Sequence, residues 1–127
     1  MPDRQSPARS FQGLLVWRKA HELTLAVYRL TSLFPKHETF GLSLQMRRAG
    51  VSIPVNIAEG FRRRGKPETA PFLNIAEGSL DEVRYFLILA NDLKYADAQD
   101  LLAAADEGSR LLNRYAKAIL TSLTSDS

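Results

Sequence analysis

The chain has 127 residues, 45% apolar and 24% charged, the balance of one globular domain, and no apolar run nears the roughly 20 residues that cross a bilayer. It contains no cysteine, which excludes disulfides and thiolate metal sites. The net charge of +3 is held unevenly: residues 1–66 carry 12 Lys or Arg against 4 Asp or Glu, and residues 67–127 carry 5 against 10, a split that favours an anionic partner or head-to-tail contact between copies.

Met1 to Ser10 holds Arg4 and Arg9 with no apolar stretch before Leu14, so a disordered lead is expected and not a secretory signal. The first helix is predicted from about Leu14 to Phe34, because Trp17, Ala20, Leu23, Val27, Leu30 and Phe34 recur at spacings of three and four. Pro35 stops it, and Lys36 to Gly41 forms a turn. The second helix is predicted from about Leu42 to Arg63 on the stripe Leu42, Met46, Ala49, Ile53, Ile57 and Gly60. Pro54 lies inside it, where it removes one backbone hydrogen bond and crowds the carbonyl of Gly50. The apolar spacing stays in phase across Pro54, so a kinked helix is expected and not two helices.

The third helix is predicted from about Pro67 to Leu93, on Phe72, Ala76, Leu80, Val83, Leu87 and Ala90. Pro67 suits its first position, where a missing N–H does no harm. The fourth is predicted from about Asp97, its N-cap, to Leu123, on Leu101, Ala105, Gly108, Leu112, Tyr115 and Ile119. Residues 124–127 are expected to be a disordered tail, so the folded domain spans 11–123. Nothing reads as a strand. Short connections force neighbours antiparallel, and the expected fold is an all-α, up-down-up-down four-helix bundle with rods about 30 Å long.

Two helices are apolar beyond one stripe. The first adds Leu15, Val16, Leu25 and Tyr28; the third adds Leu73, Ile75, Tyr85, Phe86, Ile88 and Leu89. A second stripe reads either as subunit contact or as a broad face packed on two neighbours.

Chemistry is sparse. His21 is followed by Glu22 and His37 by Glu38, so neither pair has the Glu-x-x-His spacing of a di-iron bundle or the His spacing of a zincin. There is no Gly-x-Ser-x-Gly elbow and no phosphate loop with its lysine. No catalytic residue, cofactor or metal is expected. The pentapeptide Asn56-Ile57-Ala58-Glu59-Gly60 recurs as Asn74-Ile75-Ala76-Glu77-Gly78. Asn56, Glu59, Asn74 and Glu77 read either as a polar cluster between the second and third helices or as packing with helix–helix hydrogen bonds.

The basic residues are the better candidates. Arg62, Arg63, Arg64 and Lys66 end the second helix, and Arg47 and Arg48 lie about 22 Å earlier on roughly the same side. Arg18 and Lys19 could extend the patch. Arginine forks match phosphate, and such a stripe could follow an RNA or DNA backbone with little sequence preference. The alternative is a solvated helix end whose cations complement the macrodipole.

Three segments carry a resemblance. Leu15-Val16-Trp17-Arg18-Lys19-Ala20-His21-Glu22-Leu23 resembles the opening helix of the four-helix bundle proteins encoded in intervening sequences of bacterial large-subunit ribosomal RNA genes. Val51-Ser52-Ile53-Pro54-Val55-Asn56-Ile57-Ala58-Glu59-Gly60 resembles the family's central signature, with Val55 where a serine is typical. The run from Phe72 to Glu82 resembles the third-helix signature, and the likeness covers about residues 11–120. It implies a ring of copies, commonly a homopentamer, and no known catalysis. Related accessory factors of diversity-generating retroelements associate with RNA and a reverse transcriptase. Together these readings lead to a non-enzymatic, cytoplasmic homo-oligomer binding RNA or DNA phosphates through helix two, with a protein–protein scaffold as the alternative.

Overall fold

Four α-helices make up the computed structural model, which describes residues 9–64 and 66–125: α1 (Leu15–Thr31), α2 (Leu42–Arg62), α3 (Thr69–Asp92) and α4 (Gln99–Ser125). One-turn 3-10 helices, Phe11–Gly13 and Lys36–Glu38, precede α1 and α2. Among the described residues there is no strand, and no helix is long and apolar enough to cross a membrane. Most of the expected N-terminal lead (residues 1–8) and the last two residues lie outside the described ones.

The helices pack in a cycle, α1 on α2, α2 on α3, α3 on α4 and α4 on α1, which leaves α2 and α4 at opposite corners. Thr24 meets Gly50 and Thr31 meets Arg47, so partner numbers fall along α2 as they rise along α1. The same reversal joins α2 to α3, through Ser52–Ser79 and Gly60–Leu73, and α3 to α4, through Leu80–Gly108 and Arg84–Asp106. One core runs through the cycle. Val27, Met46, Ile57, Val83 and Leu87 are fully enclosed in it, and burial of each such side chain stabilises the fold by roughly 1.5–3 kcal/mol.

The whole stripe read for α2 is buried. In the other helices the stripe is right but its margins are wetter: Trp17, Phe72, Leu101, Tyr115 and Ile119 are only partly buried. Val16 and Leu73, assigned to second stripes, belong to the core. Leu15, Leu25, Tyr28, Ile75, Tyr85 and Ile88 do face out.

Helix ends differ from expectation for local reasons. α1 stops at Thr31, where the Thr31 and Ser32 hydroxyls donate back to the carbonyls of Val27 and Arg29. Phe34 then sits in a 3-10-type turn, its N–H bonded to the Thr31 carbonyl, and is still buried. α3 begins at Thr69 and not at Pro67: the buried Thr69 hydroxyl donates to the Arg63 carbonyl and its N–H to that of Lys66, which fixes the turn first. Pro71 then falls in the first turn, where its missing N–H leaves nothing unpaired. α3 closes with a Schellman arrangement, Tyr95 N–H to the Ala90 carbonyl and Lys94 N–H to that of Asn91, and Lys94 takes the left-handed position at φ 62°. Asn91 and Asp97 side chains accept the N–H groups of Ala98 and Gln99, which starts α4. α4 continues to Ser125, past the expected stop near Leu123.

α2 stays one helix across Pro54. The proline has no N–H for the Gly50 carbonyl. The buried Thr24 hydroxyl supplies the replacement, 2.8 Å from that carbonyl and 2.9 Å from its own Ala20 carbonyl. This bond ties α1 to α2 at the proline.

Candidate nucleic-acid interface

Leu44, Arg48, Val51, Val55, Ala58 and Arg62 recur at spacings of four and three, so they share one outward stripe of α2. Leu44 and Arg62 are its ends, and Val51 and Val55, exposed by 38% and 50%, lie between Arg48 and Arg62. The stripe borders an open groove of about 640 Å³ that also takes in Tyr28, Arg47 and Asn56. The cavity inside the core, by contrast, is only about 10 Å³, room for no more than one water. Among the described residues no three His, Cys, Asp or Glu side chains are grouped to hold a metal ion.

The six cations picked from the sequence divide into two kinds. Arg47 turns toward α1: its Nε donates to Thr31 Oγ1 at 2.8 Å, its Nη2 to the Tyr28 carbonyl at 3.3 Å, and its guanidinium lies 4.7 Å from the Tyr28 ring centre. Arg63 turns toward α3, paired with Glu59 at 2.6 Å and lying 4.5 Å over the Phe72 ring. These two are held against the bundle. Arg48, Arg62, Arg64 and Lys66 are exposed, and among the described residues none of them forms an ion pair. Arg64 lies 4.1 Å over the buried Phe61 ring. Of the suggested extensions, Arg18 is exposed, whereas Lys19 lies 3.8 Å from Glu22 and 3.9 Å from Glu107.

The repeated pentapeptide is not brought together as a cluster. Asn56 donates to the Ser52 carbonyl and hydroxyl one turn back in its own helix, Glu59 is held by Arg63, and Asn74 is exposed. Glu77 is partly buried; desolvation, and then the nearby Asp81 charge, push its carboxyl above the usual range. The polar link between α2 and α3 is instead Ser79 Oγ to Ser52 Oγ at 2.8 Å.

Sequence reasoning passed over α4. Arg110, Arg114 and Lys117 are exposed, spaced four and three apart, and therefore on one face. Beside them, burial raises the Tyr115 hydroxyl pKa, while the Arg64 charge acts in the opposite direction. Arg64, just past the α2 end, and Tyr115 of α4 are thus electrostatic neighbours. Only the spacing within α4 could have drawn attention to these cations; nothing in the chain order links them to residues 62–66.

At the other end of the bundle, Tyr95 donates to Glu38 Oε2 at 2.8 Å and the Leu42 N–H to Glu38 Oε1 at 3.2 Å. Both bonds favour the carboxylate and hold its pKa below the usual range.

The model of the 23S rRNA-intervening sequence protein family matches residues 12–114. Among solved structures, the chain is similar to a protein of unknown function from the S23 ribosomal protein family of Bacteroides thetaiotaomicron. The TM-score is 0.73 at 26% identity, over 81% of this chain and 96% of that one. No curated protein matches the sequence.

Proposed function

Because the chain belongs to the 23S rRNA-intervening sequence protein family, we propose that it works without catalysis, as a self-associating bundle that holds RNA or DNA phosphates at the C-terminal end of α2. The observation that carries the nucleic-acid reading is the set Arg62, Arg64 and Lys66, all exposed and without an acidic partner among the described residues. Cations left unpaired by their own chain neutralise phosphates and release counterions, which gives binding that falls with salt and ignores sequence. The reading puts the protein in the cytoplasm, with RNA. Labelled RNA should shift at micromolar protein in low salt and be released as salt rises. Arg62, Arg64 and Lys66 all changed to Glu should abolish the shift. Binding that ignores salt, or survives the triple change, would overturn this reading.

Self-association is favoured by a separate observation. Val51 and Val55 stand exposed between Arg48 and Arg62 on α2, while Ile75, Tyr85 and Ile88 stand exposed beside Asp81 and Glu82 on α3. The two faces are apolar at heart and opposite in charge, so the α2 face of one copy suits the α3 face of the next. Such a head-to-tail contact closes into a ring, with five copies the number the family resemblance implies. If the protein serves only as a scaffold, assembly survives and no nucleic acid binds at any salt.

A further inference from the structure

Resting on the nucleic-acid reading above, we infer that each copy bridges two nucleic-acid segments, one on the cations at the α2 end and a second on Arg110, Arg114 and Lys117 of α4. These three cations are left unpaired where pairing was at hand. Arg110 has Asp106 and Glu107 within about one turn of it in its own helix. Both carboxylates are taken by other helices: Asp106 lies 2.9 Å from Arg84 of α3, and Glu107 3.9 Å from Lys19 of α1. Among the described residues, Arg110, Arg114 and Lys117 form no ion pair. From Gly108 to Ser125 the chain has no acidic residue. The helix macrodipole does not account for the row. Its pull on cations fades beyond the last turn, and even Lys117 stands more than two turns before Ser125. Exposed, held to one face by their spacing and lacking counter-charge, these cations have the chemistry of a phosphate contact.

The directions in which the two sets point make them separate sites. At about 100° per residue, Arg62 stands ~180° around α2 from Ile53 of the core stripe. By the same count, Arg110, Arg114 and Lys117 stand about 120–180° around α4 from the buried Ala105. The two helices occupy opposite corners of the cycle and do not pack on each other. Their outer faces therefore look away from each other across the core. A short duplex stays straight, because double-helical DNA bends freely only over about 150 base pairs, so a duplex on one corner leaves the other free. The contact proposed between copies uses the outer faces of α2 and α3, and it too leaves α4 open. Of the two sites, α4 is the weaker: Glu107 also faces outward, about 160° from Ala105, whereas Arg62 to Lys66 contains no acid. A copy in solution therefore holds a segment by its α2 end, and α4 captures a second where many copies line the first.

The test is a sandwich assay on the full chain. A biotinylated 20-base-pair RNA duplex is fixed to beads and loaded with protein in low salt, and unbound protein is washed away. A fluorescent 20-base-pair duplex of unrelated sequence, RNA in one arm and DNA in the other, is then added. The parent chain should retain the second duplex and release it as salt rises. Arg110→Ala/Arg114→Ala/Lys117→Ala should load the first duplex as the parent does and retain about tenfold less of the second. Its melting temperature should match the parent's, since all three side chains are exposed. Arg110→Lys/Arg114→Lys keeps the charge and should keep the capture. Retention in either arm supports bridging, and the arm identifies the polymer that α4 takes. A loaded parent chain that captures neither duplex, or an alanine variant that captures as much as the parent, would overturn the inference and leave the α2 reading standing. If the parent chain does not load the first duplex, the α2 reading itself fails, and this inference with it.

Discussion

Pro54 leaves the Gly50 carbonyl without its helical donor, and Thr24 supplies one from a different helix. Thr24→Val keeps the shape and removes the hydroxyl, so the carbonyl is left buried and unpaired. Urea denaturation should show a loss of about 1–2 kcal/mol. In a Pro54→Ala background the new N–H can bond Gly50 as in any helix, and the same Thr24→Val change should then cost only a few tenths of a kcal/mol, roughly the residual of the Ala20 bond. Equal costs in the two backgrounds would show that Thr24 does not stand in for the missing donor. Glu38 makes a pH-dependent contribution of definite sign. Its carboxyl is held below the usual value, first by the Tyr95 hydroxyl and then by the Leu42 N–H. The unfolded chain therefore takes up this proton before the folded one. Glu38 stabilises the fold fully above the unfolded carboxylate value of about 4.3, and the contribution is lost as pH falls through its lower folded value. The stability gap between the parent chain and Glu38→Gln, measured by urea melts, should narrow from pH 6 to pH 3. Glu77 has the opposite sign. Its raised carboxyl pKa, caused first by desolvation and then by Asp81, weakens the fold as pH rises through the carboxylate range, so Glu77→Gln should gain relative to the parent above that range.

At the scale of the element, the repeated pentapeptide shows what a motif can and cannot say. In α2 the repeat points Ile57 and Gly60 into the core; in α3 it points Ala76 inward and leaves Ile75 half exposed and Gly78 in the open. The second copy is rotated by about one residue, some 100° of helix, so the same five residues meet different surroundings. A methyl group at Gly60 would come within 3.2 Å of Leu73 Cδ2, whereas one at Gly78 would meet nothing within 4 Å. Gly78→Ala should therefore stabilise the fold by about 0.5–1 kcal/mol through helix propensity alone. Gly60→Ala should gain less or lose, as thermal melts of the two variants will show. No gain at Gly78 would mean that something covers that open face. The same contrast explains what was legible beforehand. The apolar stripes were readable because burial on one face imposes a spacing of three and four, and all six residues of the α2 stripe are indeed enclosed. Helix ends were less readable, because single hydroxyls at Thr31 and Thr69 decide them. The division of the arginines could not be read at all. Arg47 and Arg48 are adjacent in the chain, yet only the turn of the helix sends one to Tyr28 and leaves the other exposed. Tyr115 of α4 comes near Arg64 through tertiary packing, some fifty residues away along the sequence.

For the whole molecule, the question raised by the uneven charge is whether copies meet face to face or head to tail. An α2-on-α2 contact would bring Arg48 and Arg62 of one copy against the same residues of another, and like charges at a desolvating contact cost free energy. An α2-on-α3 contact brings those arginines toward Asp81 and Glu82, around a centre made by Val55 on one side and Tyr85 on the other. Burying a carboxylate in either apolar centre should block that face at a cost of several kcal/mol. The two geometries then separate in a mixing experiment followed by light scattering. Val55→Asp spoils the α2 face and keeps α3; Tyr85→Asp spoils α3 and keeps α2. With head-to-tail contact, each variant alone is a monomer, and an equimolar mixture forms a one-to-one dimer that cannot grow further, because only one good pair of faces is left. With α2-on-α2 contact, Tyr85→Asp dimerises by itself and the mixture gains nothing. The mixed dimer should also weaken as salt rises, since opposite charges frame its contact. A parent chain that stays monomeric at every concentration would remove both geometries, and the exposed valines of α2 would then need another partner.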